Sequence, residues 1–266
     1  MNDASSENGA LIAIPAKRAI VMLVLICLGC ELFFVLADAI INYGKLTRLG
    51  MVRRFFNIAR EDSLASWFGT TQTSLAALTL WFIYISARAR GYAKWRKMGW
   101  LLLALFFSYM AMDDGAQFHE RAGSAFRATF ENKTGALSPL TRLVTDFPGY
   151  AWQILFLPLF GAMGIFMMYF LLKEIRETPV RLLFAGALAC FVFAVILDFF
   201  EGLDPGDPMN IYTHIRKAYQ LRKYTVDHFA KSLEEFLEMA GITFFWASFL
   251  YYLSRMPGDV RLRFLK

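Results

Sequence analysis

Residues 19–43, AIVMLVLICLGCELFFVLADAIINY, form an apolar run that carries only two acidic side chains, Glu31 and Asp38. An α-helix rises about 1.5 Å per residue and a bilayer core is about 30 Å thick, so about 20 residues span it. The run is too long for the apolar part of a signal peptide, and no small-x-small cleavage site follows it. It therefore predicts a transmembrane helix that stays in the protein.

The composition of the whole chain agrees with this interpretation. Of the 266 residues 57% are hydrophobic and 19% are charged, and the mean hydropathy is +0.42. Soluble globular domains have roughly 45–50% apolar residues. These values exclude a disordered chain, a coiled coil, a disulfide scaffold and an ordinary soluble enzyme. The net charge of +6 is explained by basic residues that flank membrane helices, and no nucleic-acid motif is present, so we expect no nucleic-acid partner.

Five further apolar segments are long enough, or nearly so, to cross a bilayer. The sequence therefore predicts an all-α integral membrane bundle of about six transmembrane helices, in one domain over residues 19–255. A polar tail of residues 1–18 precedes it and a short basic tail of residues 256–266 follows. The predicted helices are Ala19–Tyr43, Ser63–Ala87, Met98–Met112, Tyr150–Leu172, Leu182–Phe200 and Leu233–Leu253.

Two connecting segments combine basic and aromatic residues. The first, KLTRLGMVRRFFNIAR, covers residues 45–60, and the second, NIYTHIRKAYQLRKY, covers residues 210–224. This composition is typical of short helices that lie in the headgroup region, with Lys and Arg near phosphates and apolar side chains directed into the membrane. We therefore expect interfacial helices in loops 1 and 5, with membrane lipids as partners; solvated connectors are the alternative.

The acidic residues are distributed unequally between the two membrane faces. Six spans place 17 of the 22 Asp and Glu residues, and all three histidines, in the half of the protein opposite the N-terminus. Lysine and arginine divide equally, but the short loops after the second and fourth helices are dense in them. Because short basic loops favour the cytoplasmic side, we expect a cytoplasmic N-terminus.

Acidic residues on three helices are predicted to lie at one depth. Asp113, Asp198 and Glu238 are 16 or 17 residues from Lys97, Arg181 and Arg255, which mark the opposite interface of their helices. At about 1.5 Å per residue, each lies roughly 24–26 Å from that interface. Since a carboxylate in a membrane is costly unless it faces a partner, a cation or water, a polar site is expected there.

Helical spacing indicates which side chains can converge. Asp113, Gln117 and Glu120 share a face if the third helix continues past Gly115. Glu234 and Glu235 have a simpler explanation, because the N-terminal end of a helix favours acidic residues. The candidate catalytic residues are Asp113, Asp114, Glu120, Asp198, Glu201 and Glu234; the candidate metal ligands are His119, His228, Asp114, Asp198, Glu235 and Glu238.

Carboxylates and histidines on facing helices are typical of metal centres in helical bundles. The Glu-x-x-His pattern of dimetal sites is missing here, and one Zn²⁺ bound by His119, His228 and a carboxylate fits the composition equally well. We therefore expect a divalent metal, with zinc, iron and manganese all open.

The string from Asp113 to Glu120, DDGAQFHE, resembles a D(D/E)xxxxHE motif at the end of the third helix in a group of uncharacterised polytopic bacterial membrane proteins. The resemblance covers about ten residues, with looser similarity at residues 61–67 and 233–238. It implies a polar site and a bacterial origin, but no reaction. For a bacterial protein of this composition we expect the cytoplasmic membrane.

The leading functional hypothesis is a metal-dependent membrane enzyme, of hydrolase or oxygenase type, that acts on a lipid or another membrane-dissolved substrate. The first alternative is a proton- or cation-coupled transporter or channel, in which Glu31 extends the path of the ion. The second alternative is a non-catalytic subunit of a membrane complex.

Overall fold

The computed structural model describes residues 15–131 and 139–257, and all regular structure within them is helical. A π-helical turn, Ala39–Tyr43, extends the first helix. The predicted tails, 1–18 and 256–266, lie largely outside the described residues. The α-helices in chain order are α1 Ala16–Asp38, α2 Gly50–Phe55, α3 Leu64–Ala89, α4 Lys94–Ala116, α5 Phe118–Glu131, α6 Pro139–Asp146, α7 Ala151–Glu174, α8 Thr178–Glu201, α9 Ile211–Ala218 and α10 Lys223–Ser254.

Within the described residues, four helical segments are long and apolar enough to cross a membrane. They are Ala16–Tyr43, Ala151–Glu174, Thr178–Glu201 and Lys223–Ser254. The predicted second and third helices are present as α3 and α4, but neither is among these four. Polar residues account for the difference, because α3 carries the run TTQTS over residues 70–74 and α4 begins with KWRK and ends with DDGA.

The structure differs from the prediction at one helix start and in one loop, and it agrees with the prediction in two other loops. α10 begins at Lys223, ten residues before the predicted start of the sixth helix at Leu233. Loop 3 contains the helices α5 and α6, which the sequence did not predict. Short helices are present in loops 1 and 5 as expected, as α2 and α9.

The long helix α10 is the centre of the bundle, since it packs against α8, α1 and α3, while α3 packs against α4. Phe107 on α4 lies edge-on to Phe245 and Phe249 of α10, with ring centroids 5.4 and 5.1 Å away. α8 and α10 approach closely at Gly241, where a Cβ would lie 2.8 Å from the Phe191 ring. These contacts form the apolar core of the bundle, and the acidic residues of the candidate site lie outside it.

Besides the apolar core, two sets of polar contacts join the helices, and each has a glutamate with a buried side chain at its centre. Glu31 of α1 is fully buried, and its Oε1 accepts hydrogen bonds from Gln72 at 2.9 Å and Thr243 at 2.6 Å. Far from there, Arg96 of α4 makes a two-point ion pair with Glu174 of α7, at 2.8 and 2.6 Å. These contacts tie α1, α3 and α10 together, and α4 to α7.

Candidate functional site

A break in the chain after α4 positions His119. α4 stops before Gln117, whose φ of 51° is left-handed, and α5 begins one residue later. The break folds the first turn of α5 back onto α4, where the backbone N–H of His119 donates to Asp113 Oδ1 at 2.8 Å. The continuous helix past Gly115 on which the shared face depended is therefore wrong. Even so, Asp113, Gln117 and Glu120 line one cavity.

His119 and Asp113 form a close pair at this break. The Nδ1 atom of His119 lies 2.5 Å from Asp113 Oδ2. Burial lowers the pKa of His119, but the hydrogen bond and charge of Asp113, helped by the charges of Glu120 and Asp198, outweigh that effect and raise it. Nδ1 is occupied by Asp113, and Nε2 makes no hydrogen bond with any described residue. The ring can thus exchange a proton through Nε2.

Aromatic rings of α7 hold the imidazole in place. The ring of Trp152 stands edge-on to that of His119, with centroids 4.7 Å apart, and Phe156 and Phe160 lie slightly farther away. α5 can approach α7 this closely because of Gly123, where a Cβ would lie 2.5 Å from the Trp152 backbone nitrogen. The rings of α7 and the hydrogen bonds to Asp113 together fix the position of the imidazole.

α10 contributes a lysine and three glutamates to the same region. Lys231 Nζ lies 2.8 Å from Glu234 Oε1 and 3.7 Å from Glu235 Oε1. Glu234 is 3% exposed, and among the described residues its Oε2 has no hydrogen-bond partner. Because α10 begins at Lys223, these glutamates lie about three turns inside it, and the helix dipole does not explain them.

Two aspartates of the site are held by neutral donors instead of cations. Gln153 Nε2 donates to Asp198 Oδ2 at 2.8 Å, and Thr73 Oγ1 donates to Asp114 Oδ2 at 2.8 Å. Such bonds satisfy an oxygen but bring no positive charge. The local carboxylates therefore outnumber the cations that face them.

These polar groups surround one end of a cavity of about 740 Å³. α7 lines it from Trp152 to Met168, which is about 24 Å of helix at 1.5 Å per residue. The walls away from the polar end are apolar. The polar lining residues are Glu61, Ser66, Thr70, Thr73, Asp113, Asp114, Gln117, His119, Glu120, Asp198, Lys231, Glu234, Glu235 and Glu238.

Part of the apolar wall is open on its outer side. Ile165 and Val192 line the cavity between α7 and α8, yet they are 67% and 57% exposed. At Gly161 and Gly164 an added Cβ would meet nothing within 4 Å. Because α7 and α8 carry membrane-length apolar sequences, this opening faces the region that lipid chains would occupy.

A second, smaller cavity of about 360 Å³ adjoins the polar end. It shares Glu61, Glu120, Asp198 and Lys231 with the larger cavity and adds Glu201. The site thus consists of an apolar chamber that leads into a polar one.

The candidate residues do not all meet in these cavities. The six catalytic candidates line one cavity or the other, as do His119, Glu235 and Glu238. His228 lines neither, because its Nε2 lies 2.5 Å from Asp38 Oδ2, against α1. The structure therefore separates the two histidines that the sequence proposed as joint ligands.

The predicted metal ligands do not form a recognisable metal site in the described residues. Over residues 15–131 and 139–257, no group of three or more His, Cys, Asp or Glu side chains is arranged so that it could hold a metal ion.

Sequence reasoning missed three residues of the site. Glu61 precedes the Ser63 cap of α3 and lines both cavities, although it lies in a loop. Thr73 and Gln153 donate to carboxylates of the site. Thr73 belongs to the polar run TTQTS, which is a signal in the sequence, whereas the single glutamine Gln153 gives none. The location of Glu61, in a loop on the acid-rich side, is a signal that could have identified it.

The chain matches the family described as "Domain of unknown function (DUF8692)" over residues 18–253. No curated protein matches it, and neither does any solved structure.

Proposed function

This chain belongs to the DUF8692 family, and we propose from the geometry of its site that it is an integral membrane enzyme acting on a membrane-dissolved amphiphile. The observation that carries the proposal is the His119–Asp113 pair at the polar end of an apolar cavity. Pairing with an aspartate fixes the orientation of an imidazole and leaves its other nitrogen free for proton transfer.

The shape of the cavity supports a lipid-like substrate. Its length along α7, about 24 Å, exceeds the half-thickness of about 15 Å that one leaflet of the hydrocarbon core occupies. The opening beside Ile165 and Val192 gives a hydrocarbon chain a way in from the bilayer. The polar head of such a molecule then lies among the carboxylates.

Hydrolysis is the reaction class that these groups serve best. Glu120 takes a proton from a water molecule, whose oxygen attacks the carbon of an ester or amide in the head group. His119 gives its Nε2 proton to the atom that leaves, and Asp113 stabilises the imidazolium until then. Positioned proton transfers of this kind contribute typically about 10²–10⁴-fold in rate.

We propose that α3 and α4 also cross the membrane, which gives six spans in a bacterial cytoplasmic membrane with the N-terminus in the cytoplasm. At 26 and 23 residues both helices are long enough, at roughly 39 and 35 Å. Their polar side chains face other helices at Gln72 and Thr73. Single cysteines placed at 92 and 206, probed with an impermeant thiol reagent in intact cells, test this topology, since these positions should lie on opposite faces.

The activity is tested by untargeted mass spectrometry of lipids. Purified protein in nanodiscs is incubated with a total lipid extract from the producing cells, and wild type is compared with His119→Ala. His214→Ala is the control, because His214 is exposed and lies outside both cavities, where its Nε2 is hydrogen-bonded to the backbone oxygen of Pro208. We expect one lipid species to decrease and its products to increase with wild type and His214→Ala only. Equal conversion by His119→Ala, or none by wild type, contradicts the proposal.

The predicted divalent metal stays a prediction, and the proton transfers proposed here do not require it. Elemental analysis of the purified protein tests it directly. One equivalent of zinc, iron or manganese that disappears in Asp113→Asn, Asp198→Asn and Glu238→Gln would support a metal-dependent reaction.

A proton-coupled transporter is the second candidate, and Glu31 is the observation that favours it. Its side chain is fully buried, and its Oε2 has no hydrogen-bond partner among the described residues. Proteoliposomes loaded with a pH-sensitive dye decide between the two: proton flux that Glu31→Gln abolishes would support transport.

A further inference from the structure

We propose that the molecule bound in this cavity is a single-chain amphiphile with a positively charged head group, of the ammonium class. The inference rests on the proposed function for its site, and it names the chemistry of the substrate. Three observations carry it: the balance of charge at the polar end, an unpaired buried oxygen there, and the shape of the apolar chamber.

The polar end has more carboxylates than cations. Lys231 faces Glu234 and Glu235, and His119 faces Asp113. Arg127 lines the adjoining chamber, where it donates to the backbone oxygens of Phe147 and Gly149. Among the residues that the structure describes, Glu120 and Glu238 line the cavity with no ion-pair partner. Carboxylates crowded together must share protons or acquire a cation. A ligand with a positive head supplies the charge that the protein does not.

Glu234 shows that the protein leaves an acceptor unused. Its side chain is buried, Oε1 is paired with Lys231, and Oε2 has no partner within the described residues. A buried acceptor without a donor is unfavourable, because it has lost its hydrogen bonds to water and gained none in return. An ammonium group carries up to three N–H donors and satisfies such an oxygen, whereas an anionic head adds repulsion.

An organic cation fits the spacing of the acids better than a bare metal ion does. No three metal-binding side chains in the described ranges are arranged to hold a metal ion. An ammonium head needs no such convergence, because each N–H can point to a different carboxylate. The aromatic rings of Trp152 and Phe160 also line the cavity, and aromatic faces attract ammonium groups.

The apolar chamber limits the rest of the molecule to a hydrocarbon chain. A cavity of about 740 Å³ is within the range of about 300–1,000 Å³ typical of small-molecule sites. It is open towards the bilayer beside Ile165 and Val192, so that a chain can enter sideways while the head moves towards α10.

Photolabelling tests the proposal. Protein in phosphatidylcholine nanodiscs is irradiated with a C16 alkylamine that carries a mid-chain diazirine, and labelled peptides are identified by mass spectrometry. We expect label on α7 and α8 around Gly164 and Val192. Unlabelled hexadecylamine should compete, whereas hexadecanol and hexadecanoic acid should not. Equal labelling by the diazirine derivative of the acid would overturn the proposal.

Different variants test the recognition of the charged head group and of the hydrocarbon chain. The double variant Glu120→Gln, Glu238→Gln should reduce amine labelling by about tenfold or more, because unpairing a buried charge has effects of that size. Glu177→Gln, at the start of α8 outside both cavities, is the control. Gly164→Trp fills the chamber and should abolish labelling without altering the acids. Unchanged labelling in the double variant contradicts the proposal, and thermal unfolding confirms that each variant is folded.

The two proposals fail in different ways. If wild type converts a lipid through His119 but the amine probe does not label the cavity, the charged head is wrong and the enzyme stands. If the amine labels the cavity and His119→Ala changes no lipid conversion, the site binds a cationic amphiphile and the enzyme is wrong.

Discussion

His228 Nε2 lies 2.5 Å from Asp38 Oδ2, and this contact joins α10 to the end of α1. Asp38 is 2% exposed and also accepts from Asn42 at 2.6 Å and Ser232 at 3.3 Å. Within the part of the chain that the structure describes, two Asp–His pairs have the same length of 2.5 Å, and they differ in their surroundings. The pair with His119 lines a cavity, whereas the pair with His228 is enclosed by protein, so we assign the second pair to stability.

His228→Ala should destabilise the protein without removing lipid conversion. The change takes a donor from a buried carboxylate, and hydrogen bonds to charged groups are worth about 1.5–3 kcal/mol. Thermal unfolding in detergent measures the loss, with His214→Ala as the exposed control. A variant that unfolds at the wild-type temperature would show that the Asp38 contact contributes nothing to stability.

Asp113→Asn should lower the pKa of His119, because it removes the negative charge next to Nδ1. A raised pKa means that the folded protein holds this proton more tightly than the unfolded chain does. The stability gained is fully present below the unfolded pKa of about 6.5, and it is lost as the pH rises through the higher folded pKa. Histidine-selective NMR measures the pKa directly.

The same variant should also lose more stability at about pH 5.5 than at about pH 9, relative to wild type. Unfolding temperatures of the two proteins at both pH values measure this difference. A gap that is constant with pH would mean that the pair contributes no proton-linked stability.

Much of the fold follows from hydropathy, because a helix in lipid must be long and apolar. α7 and α8 lie within a few residues of their predicted limits for this reason. The start of α10 was missed because residues 223–232 are polar and give no membrane signal, although they continue the helix. Hydropathy identifies the part of a helix that lies in the membrane. Whether the helix continues beyond that part depends on how the polar residues pack against the rest of the protein.

The candidate site was predictable in its location but not in its pairings. The acids gathered at one end because a carboxylate in lipid is costly, and that cost is visible in a sequence. The pairing of His119 with Asp113 depends on the left-handed backbone at Gln117. A sequence signals such a conformation when the residue is glycine, and a glutamine gives no such signal. The separation of His228 from His119 depends on which face of α10 meets α1, and one sequence does not determine this.

Gly123→Ala should damage the site while the bundle remains folded. The added Cβ would lie 2.5 Å from the backbone nitrogen of Trp152, so α5 has to move away from α7. Overpacking of this kind costs about 1–3 kcal/mol and would shift His119 from the Trp152 ring. Gly29→Ala is the matched control, because its Cβ meets nothing within 4 Å. We expect lipid conversion to fall only in Gly123→Ala; equal conversion by both variants would show that the close approach is not needed.

Glu174→Gln should lower stability and leave amphiphile binding unchanged. The Glu174 side chain is 3% exposed, and it accepts from Nε and one terminal nitrogen of Arg96 and from Tyr252 Oη at 2.8 Å. The amide keeps one acceptor oxygen but loses the charge, so about 1.5–3 kcal/mol of charge-assisted bonding is at stake. Glu174 lines neither cavity, and amine photolabelling should therefore equal that of wild type in protein that is still folded. Thermal unfolding measures the first effect, with Glu177→Gln as the control, and reduced labelling would show that the Arg96 pair also holds the distant chamber in shape.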